Sequence, residues 1–128
     1  MKVPREDEIS KIVIGAAIEV HKHLGPGLLE SAYEECLCHE LDLHGLAYER
    51  QKALHVTYKG KTLDCGYKLD IIIEKLVILE LKSVEKVDPI HEAQLLTYLK
   101  LSECKLGILI NFNVPVLKNG IKRIVNNL

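Results

Sequence analysis

The fold is decided by the stretch from Tyr67 to Lys82, which reads YKLDIIIEKLVILELK. Its two apolar runs meet at Glu74-Lys75, a connection too short for anything but a β-hairpin. The second run is apolar enough to predict a strand that is buried on both faces. A charge in such a strand costs several kcal/mol unless it has a partner, so Glu80 and Lys82 indicate a functional site.

The hairpin register determines which charged side chains meet. Glu80 and Lys82 are two residues apart, so they leave the same face of the strand. A three-residue turn centred on Lys75 places Asp70 directly across from Glu80. This register is an assumption, because Glu-Lys is a weak turn signature and a slip of one residue would separate the two acids.

Two opposed carboxylates at this position form an unfavourable pair. They would lie about 5 Å apart and repel each other by roughly 3 kcal/mol at an effective dielectric constant near 20. A shared proton or a divalent cation removes that repulsion. Oxygen ligands favour Mg²⁺ or Mn²⁺ over zinc. The simpler alternative is a buried ion pair between Lys82 and either acid.

Composition limits the classes of protein that fit. The chain has 128 residues, of which 48% are hydrophobic, which favours a single domain over residues 1–128 with one core. Its net charge of −1 is unlike that of a strongly basic nucleic-acid-binding protein, so contact with nucleic acid needs a local basic patch or a metal. The start is polar and acidic, and no apolar stretch approaches the roughly 20 residues that span a bilayer. We therefore expect a cytoplasmic protein without membrane contact, whose four cysteines stay reduced.

Periodicity and turn residues predict the order α-α-β-β-β-α-β-β and an α/β fold with a mixed sheet. Asp88 and Pro89 mark the N-terminus of the third helix, and Asn119-Gly120 predicts a hairpin turn. The expected helices span about residues 5–23, 28–44 and 89–102, and the expected strands 54–58, 62–73, 76–83, 106–112 and 121–125.

Three further groups of residues are candidates for a site. His91, Gln94 and Tyr98 lie on one stripe of the third helix, although an amphipathic boundary explains them equally. Glu30 lies in the first turn of the second helix, where the helix dipole alone is a sufficient reason for an acid. Three basic residues near the C-terminus suit either phosphate contact or a solvated edge strand: Lys118, Lys122 and Arg123.

Together these segments resemble the PD-(D/E)xK nuclease superfamily and, within it, the small GxxExxY family. Gly27, Glu30 and Tyr33 stand at the positions that give the latter its name. Asp70, the Glu80-Leu81-Lys82 triplet, the helix over residues 91–99 and the strand over residues 106–112 also match. The resemblance covers about residues 8–126.

The resemblance implies a restriction-endonuclease-like αβββαβ core with an extra N-terminal helix and a C-terminal hairpin. It implies that Asp70 and Glu80 ligate Mg²⁺ or Mn²⁺, helped by the Leu81 carbonyl, with Glu30 near the metal. Lys82 would orient the attacking water and stabilise charge on the phosphate. The helix residues that would support the site or touch the substrate are Gln94 and Tyr98.

We therefore expect a Mg²⁺-dependent nuclease that acts on DNA or RNA. A non-catalytic, nuclease-like module that binds nucleic acid or a protein partner is the alternative. The near-neutral net charge suits a subunit whose partner supplies the affinity for DNA. A structural homodimer is a third interpretation that the sequence leaves open.

Overall fold

The computed structural model describes residues 3–128. Met1 and Lys2, part of the polar and acidic start noted in the sequence, lie outside the described residues. The elements in chain order are α1 (Arg5–Leu24), α2 (Glu30–Leu43), β1 (Tyr48–Tyr58), β2 (Lys61–Ile73), β3 (Val77–Lys82), α3 (Pro89–Ser102), β4 (Leu106–Asn111), a short 3₁₀ helix (Leu117–Gly120) and β5 (Ile121–Val125).

The five strands form one mixed sheet in the order β1-β2-β3-β4-β5. The strands β3 and β4 are parallel, and the three other neighbouring pairs are antiparallel. A parallel pair needs a crossover connection, which α3 supplies. This arrangement confirms the predicted α/β fold with a mixed sheet, which is consistent with a restriction-endonuclease-like architecture.

The register of the central hairpin is the predicted one. Ile71 pairs with Leu79, and Ile73 pairs with Val77, so the turn is centred on Lys75. Glu74 and Lys75 both adopt positive φ angles, 51° and 58°, which are uncommon for residues other than glycine. The turn is tied to α1, because Arg5 donates hydrogen bonds of 3.0 and 2.7 Å to the Glu74 carboxylate.

Helices cover both faces of the sheet and divide the core into two clusters. The helices α1 and α2 pack on one face, and α3 packs on the other. Gly107 in β4 allows α3 to approach closely, since a Cβ atom there would lie 2.9 Å from the side chain of Leu95. None of the helices within residues 3–128 is long and apolar enough to cross a bilayer.

Several element boundaries differ from the predicted ones. The first strand begins at Tyr48 rather than at residue 54, because its polar N-terminal half pairs with the apolar end of β2. The helix α2 begins at Glu30 rather than at residue 28. The second strand, β2, begins at Lys61, one residue before the expected start.

The predicted hairpin turn at Asn119-Gly120 is wrong. Both residues belong to the 3₁₀ helix, and the antiparallel strands β4 and β5 are joined by the longer segment 112–120. Gly120 packs its backbone against β4, since a Cβ atom there would lie only 2.1 Å from the Asn111 carbonyl oxygen. The glycine thus serves close packing rather than a two-residue turn.

Candidate functional site

The carboxylates of Asp70 and Glu80 meet where β2 and β3 diverge. The pairing between the two strands runs from Ile73–Val77 to Ile71–Leu79. At the next position the Leu81 N–H donates to Oδ2 of Asp70 at 2.8 Å, a bond from backbone to side chain. The Asp70 N–H points at Oε1 of Glu80 across a long 3.5 Å contact. Both acids therefore lie in the opening between the strands, as the register predicts.

A break in strand alternation explains why the Asp70 side chain lies in this opening. Leu69 packs in the α3 cluster and Ile71 in the α1–α2 cluster, although two residues that are two apart normally share a face. On the neighbouring strand, Gln51 has a positive φ of 49° between the pairs Arg50–Ile71 and Lys52–Leu69. In both strands, the side chains therefore switch from one face of the sheet to the other at the level of Asp70.

Burial and the neighbouring acid both raise the pKa of Glu80. Its side chain is 8% exposed. Burial, followed by the charge of Asp70, raises the pKa of Glu80 to about 8. Within residues 3–128, no lysine or arginine lies within ion-pair distance of either Asp70 or Glu80. The structure therefore does not contain the buried ion pair with Lys82 that the sequence left as an alternative.

Lys82 is half-buried at the end of β3, on the same face of the strand as Glu80. Its backbone carbonyl accepts a bond of 3.0 Å from the Phe112 N–H, which ties it to the end of β4. The lysine is thus placed beside the acids without being bonded to them, so its ammonium is available to an anionic group.

Asn111 is a positioning residue that the sequence analysis missed. It is 3% exposed at the end of β4, in register with Lys82. Its amide accepts from the Val84 N–H at 3.1 Å and donates to the Val84 carbonyl at 2.9 Å, which fixes the segment after Lys82. The available signal was a single polar residue at the end of an otherwise apolar strand.

Glu30 reaches the site from α2, which packs on the face of the sheet opposite α3. Its Oε2 accepts from the Ser83 N–H at 3.3 Å, immediately after Lys82. The Ser83 hydroxyl donates to the Leu28 carbonyl at 2.6 Å, so the start of α2 is bonded to the end of β3. Glu30 itself is exposed.

Tyr33 fixes the loop that leads to Glu30. It is fully buried, and its ring stacks on Phe112 with a centroid distance of 4.3 Å. Its hydroxyl donates to the Gly25 carbonyl at 2.6 Å and accepts from the Leu28 N–H at 3.1 Å. Gly27 has φ 93° in this loop, a conformation that glycine adopts readily.

The helix α3 contributes Tyr98 and Gln94 on the side of the acids. Tyr98 is buried, and its pKa is raised by burial first and then by the charge of Glu80. Gln94 is exposed one turn earlier. His91, on the same stripe, instead accepts the Asp88 N–H at 3.2 Å and completes the helix N-cap.

The basic residues near the C-terminus are partly paired with acids. Lys122 lies 3.4 Å from Glu92, and Arg123 lies 2.7 Å from Asp7, both in exposed positions. Lys118 is exposed on the 3₁₀ helix. Two of these three cations are therefore occupied in surface ion pairs.

The ligands available for a divalent cation are oxygens. Asp70 and Glu80 offer carboxylates, and the Leu81 carbonyl lies on the same edge of β3 as its N–H, facing Asp70. Across residues 3–128 no three histidine, cysteine or acidic side chains gather as one metal-binding group, so Glu30 does not complete a three-residue set. Mg²⁺ is often held by one or two carboxylates and completed by water, so this set fits it.

Comparison with known families agrees with the geometry. A family model described as the PD-(D/E)XK nuclease superfamily matches residues 7–124. Neither the curated proteins nor the solved structures give a significant match. The match covers the elements from α1 to β5 and therefore includes every candidate residue described above.

Proposed function

The chain belongs to the PD-(D/E)XK nuclease superfamily, and on that premise we propose that it is a Mg²⁺-dependent nuclease that hydrolyses the phosphodiester bonds of DNA. One observation carries the proposal. A buried glutamate lies against an aspartate, with no lysine or arginine in ion-pair contact among the described residues. Two ionised carboxylates at this distance are energetically unfavourable unless a proton or a cation balances their charge.

In this proposal each residue has a distinct role. Asp70 and Glu80 hold the cation, with the Leu81 carbonyl as a third oxygen. When bound, Mg²⁺ or Mn²⁺ supplies a Lewis acid for the scissile phosphate and makes a water molecule more acidic. Lys82 would orient the attacking water and stabilise the negative charge that grows on the phosphate in the transition state.

Three further residues act around this centre. Glu30 holds the segment that follows Lys82 through the Ser83 N–H and would lie near a bound cation. Gln94 and Tyr98 line the approach of the substrate from α3. We also place the chain in the narrower GxxExxY family, as a single nuclease-like domain, because Gly27 and Tyr33 shape the loop that presents Glu30.

The test is cleavage of single-stranded DNA, duplex DNA and RNA with Mg²⁺ or Mn²⁺. We expect Lys82→Ala to reduce the rate at least about 100-fold while the thermal unfolding curve stays unchanged. The control is Lys11→Ala, which removes an exposed lysine on α1 and should cleave normally. Cleavage by the Lys82 variant at the wild-type rate removes Lys82 from the mechanism.

The alternative function has its own outcome in this experiment. Wild-type protein that cleaves none of the substrates with either metal contradicts the nuclease proposal. The non-catalytic module that binds nucleic acid or a protein partner then becomes the better interpretation. Preference for RNA would replace DNA as the substrate and leave the roles of Asp70, Glu80 and Lys82 unchanged.

A further inference from the structure

An open groove of about 430 Å³ lies between α3 and the outer part of the β1–β2 ribbon. We call residues 52–68 the arm, because this part of the two strands is mostly exposed. Six of the eight lining side chains are apolar or aromatic: Val56, Tyr67, Ile90, Ala93, Tyr98 and Leu101. The other two are Gln94 and Thr97.

The groove is continuous with the candidate metal site. Tyr98 lines the groove, and its pKa is raised first by burial and then by the charge of Glu80. Tyr67 precedes Asp70 by three residues on β2, which is about 10 Å along a strand. The groove therefore shares α3 and β2 with the candidate metal site, since Tyr98 and Tyr67 line the groove and Asp70 lies on the same strand as Tyr67.

The arm carries a charge that differs from that of the rest of the chain. It contains four lysines and one aspartate, a net charge of +3, whereas the whole chain carries −1. Lys52 forms an ion pair with Glu49, and the other three lysines are exposed. This is the local basic patch that a nearly neutral protein needs in order to approach a phosphate backbone.

We propose that the groove binds the unpaired bases of single-stranded DNA, with Tyr67 as a stacking platform. The proposal rests on the proposed nuclease function and names the substrate class of that same site. Aromatic side chains stack on exposed bases, and a basic rim follows the backbone, which is the usual combination for single-strand binding. Base-paired DNA hides the faces that Tyr67 would contact.

Proteins distinguish RNA from DNA through hydrogen bonds to the 2′-hydroxyl. Four of the eight lining residues, Val56, Ile90, Ala93 and Leu101, carry no side-chain group that could make such a bond. The polar lining side chains are those of Gln94, Thr97 and the two tyrosines, so the comparison with oligouridine below tests the choice of DNA. Tyr67 is 44% exposed, and its ring centroid lies 6.2 Å from that of Tyr98, so a base that enters the groove would meet a partly exposed aromatic side chain.

The experiment measures binding without cleavage. Fluorescence anisotropy of a labelled oligothymidine, recorded in EDTA, gives the Kd of the intact chain. We expect Tyr67→Ala to raise that Kd about tenfold, because stacking contributes about 1–3 kcal/mol per base. Tyr67→Phe keeps the ring and should bind like the wild type. Val116→Ala is the control, since it removes an exposed apolar side chain outside both the arm and the groove and should leave Kd unchanged.

Several outcomes would overturn the proposal. An unchanged Kd for Tyr67→Ala, tighter binding of a matched duplex or tighter binding of oligouridine would each do so. The wild type could also fail to bind oligothymidine and self-associate, while Tyr67→Ala stays monomeric. That result would assign the groove to a second copy of the chain instead. Circular dichroism confirms that each variant is folded.

The two proposals fail separately. If the wild type binds oligothymidine through Tyr67 but cleaves nothing with Mg²⁺ or Mn²⁺, the nuclease function fails and the groove assignment stands. If the wild type cleaves DNA and Tyr67→Ala has an unchanged Kd, the groove assignment fails and the nuclease function stands.

Discussion

Glu34 and Glu80 are buried to the same extent, 8% exposed each, but their surroundings differ. Glu34, on α2, accepts bonds of 2.8 and 3.2 Å from Arg50 and one of 2.7 Å from Gln51. Glu80 has the carboxylate of Asp70 as its neighbour, and no lysine or arginine of residues 3–128 pairs with it.

The difference separates a structural acid from a candidate functional one. At Glu34 the fold supplies the positive charge and the donors that a buried carboxylate needs. At Glu80 it supplies more negative charge, which destabilises the ionised form. We infer that the chain balances this charge with something it does not itself contain, and the predictions below test that inference.

The largest expected effect is on catalysis. Glu80→Gln keeps the shape of the side chain but cannot hold a cation as a carboxylate does, so we expect cleavage with Mg²⁺ to fall about 1000-fold. Glu34→Gln changes an equally buried acid and should cleave at nearly the wild-type rate. Rates that fall equally in both variants would show that the two glutamates do not differ in function.

The next effect is on stability and concerns the paired acid. Arg50→Ala leaves Glu34 with Gln51 as its remaining side-chain donor, and we expect a loss of about 2 kcal/mol in the free energy of unfolding. Arg50→Lys should recover part of the loss, because it keeps the charge but not the planar fork of donors. Urea denaturation at pH 7 measures both. Wild-type stability in Arg50→Ala would mean that Glu34 does not need its cation.

A third effect is the pH dependence of stability in divalent-free buffer. Folding raises the pKa of Glu80 from its usual 4.5 to about 8, so the native state keeps a proton that the unfolded chain has lost. Stability should therefore fall as pH rises between these values, with a slope approaching 1.4 kcal/mol per pH unit. Denaturation of Glu80→Gln across this range should lack that contribution, and Glu34→Gln should retain it. Identical slopes in all three proteins would contradict the raised pKa.

The smallest effect is stabilisation by the cation itself. Mg²⁺ at tenfold excess over its Kd should stabilise the wild type by about 1.4 kcal/mol, seen as a rise in Tm. Asp70→Asn should weaken cation binding in calorimetry and reduce the rise. A rise in Tm that is the same in the wild type and in Asp70→Asn would place the cation elsewhere.

The central hairpin was predictable because its two apolar runs leave room for one turn. Once the turn is centred on Lys75, the register follows, and with it the meeting of Asp70 and Glu80. The N-cap at Asp88 and Pro89 was equally local and is confirmed. These features depend on residues that are close in sequence.

Features that depend on distant residues were not predictable. The contact between Glu34 and Arg50 joins a helix to a strand, and neither residue carries a local signal of the other. The break in alternation at Asp70 depends on the positive φ of Gln51, a residue type that rarely adopts it. Asn119-Gly120 was misinterpreted because the dipeptide favours a hairpin turn locally, whereas packing of Gly120 against Asn111 requires a 3₁₀ helix.

The hairpin register predicted that Asp70 and Glu80 meet, the resemblance supplied roles for the site residues, and the structure added how Glu30, Gln94 and Tyr98 lie around the two acids. Asp70, Glu80 and Lys82 lie together at the divergence of two strands, and Glu30 lies at its edge. Gln94 and Tyr98 lie along the groove that leads there. The catalytic and metal-binding roles of these six residues remain predictions that the variants above will test.

Gly107 carries no reactive group, yet it lets α3, one wall of the groove, pack closely against β4. Since Leu95 occupies the space that a methyl group would need, α3 sits lower on the sheet than an alanine would permit. Tyr98 and Gln94 lie on that helix, so their positions depend on where it packs. Changes at Gly107 would therefore alter substrate access by shifting a wall of the groove, and they offer an engineer a way to adjust selectivity without altering the acids or the lysine.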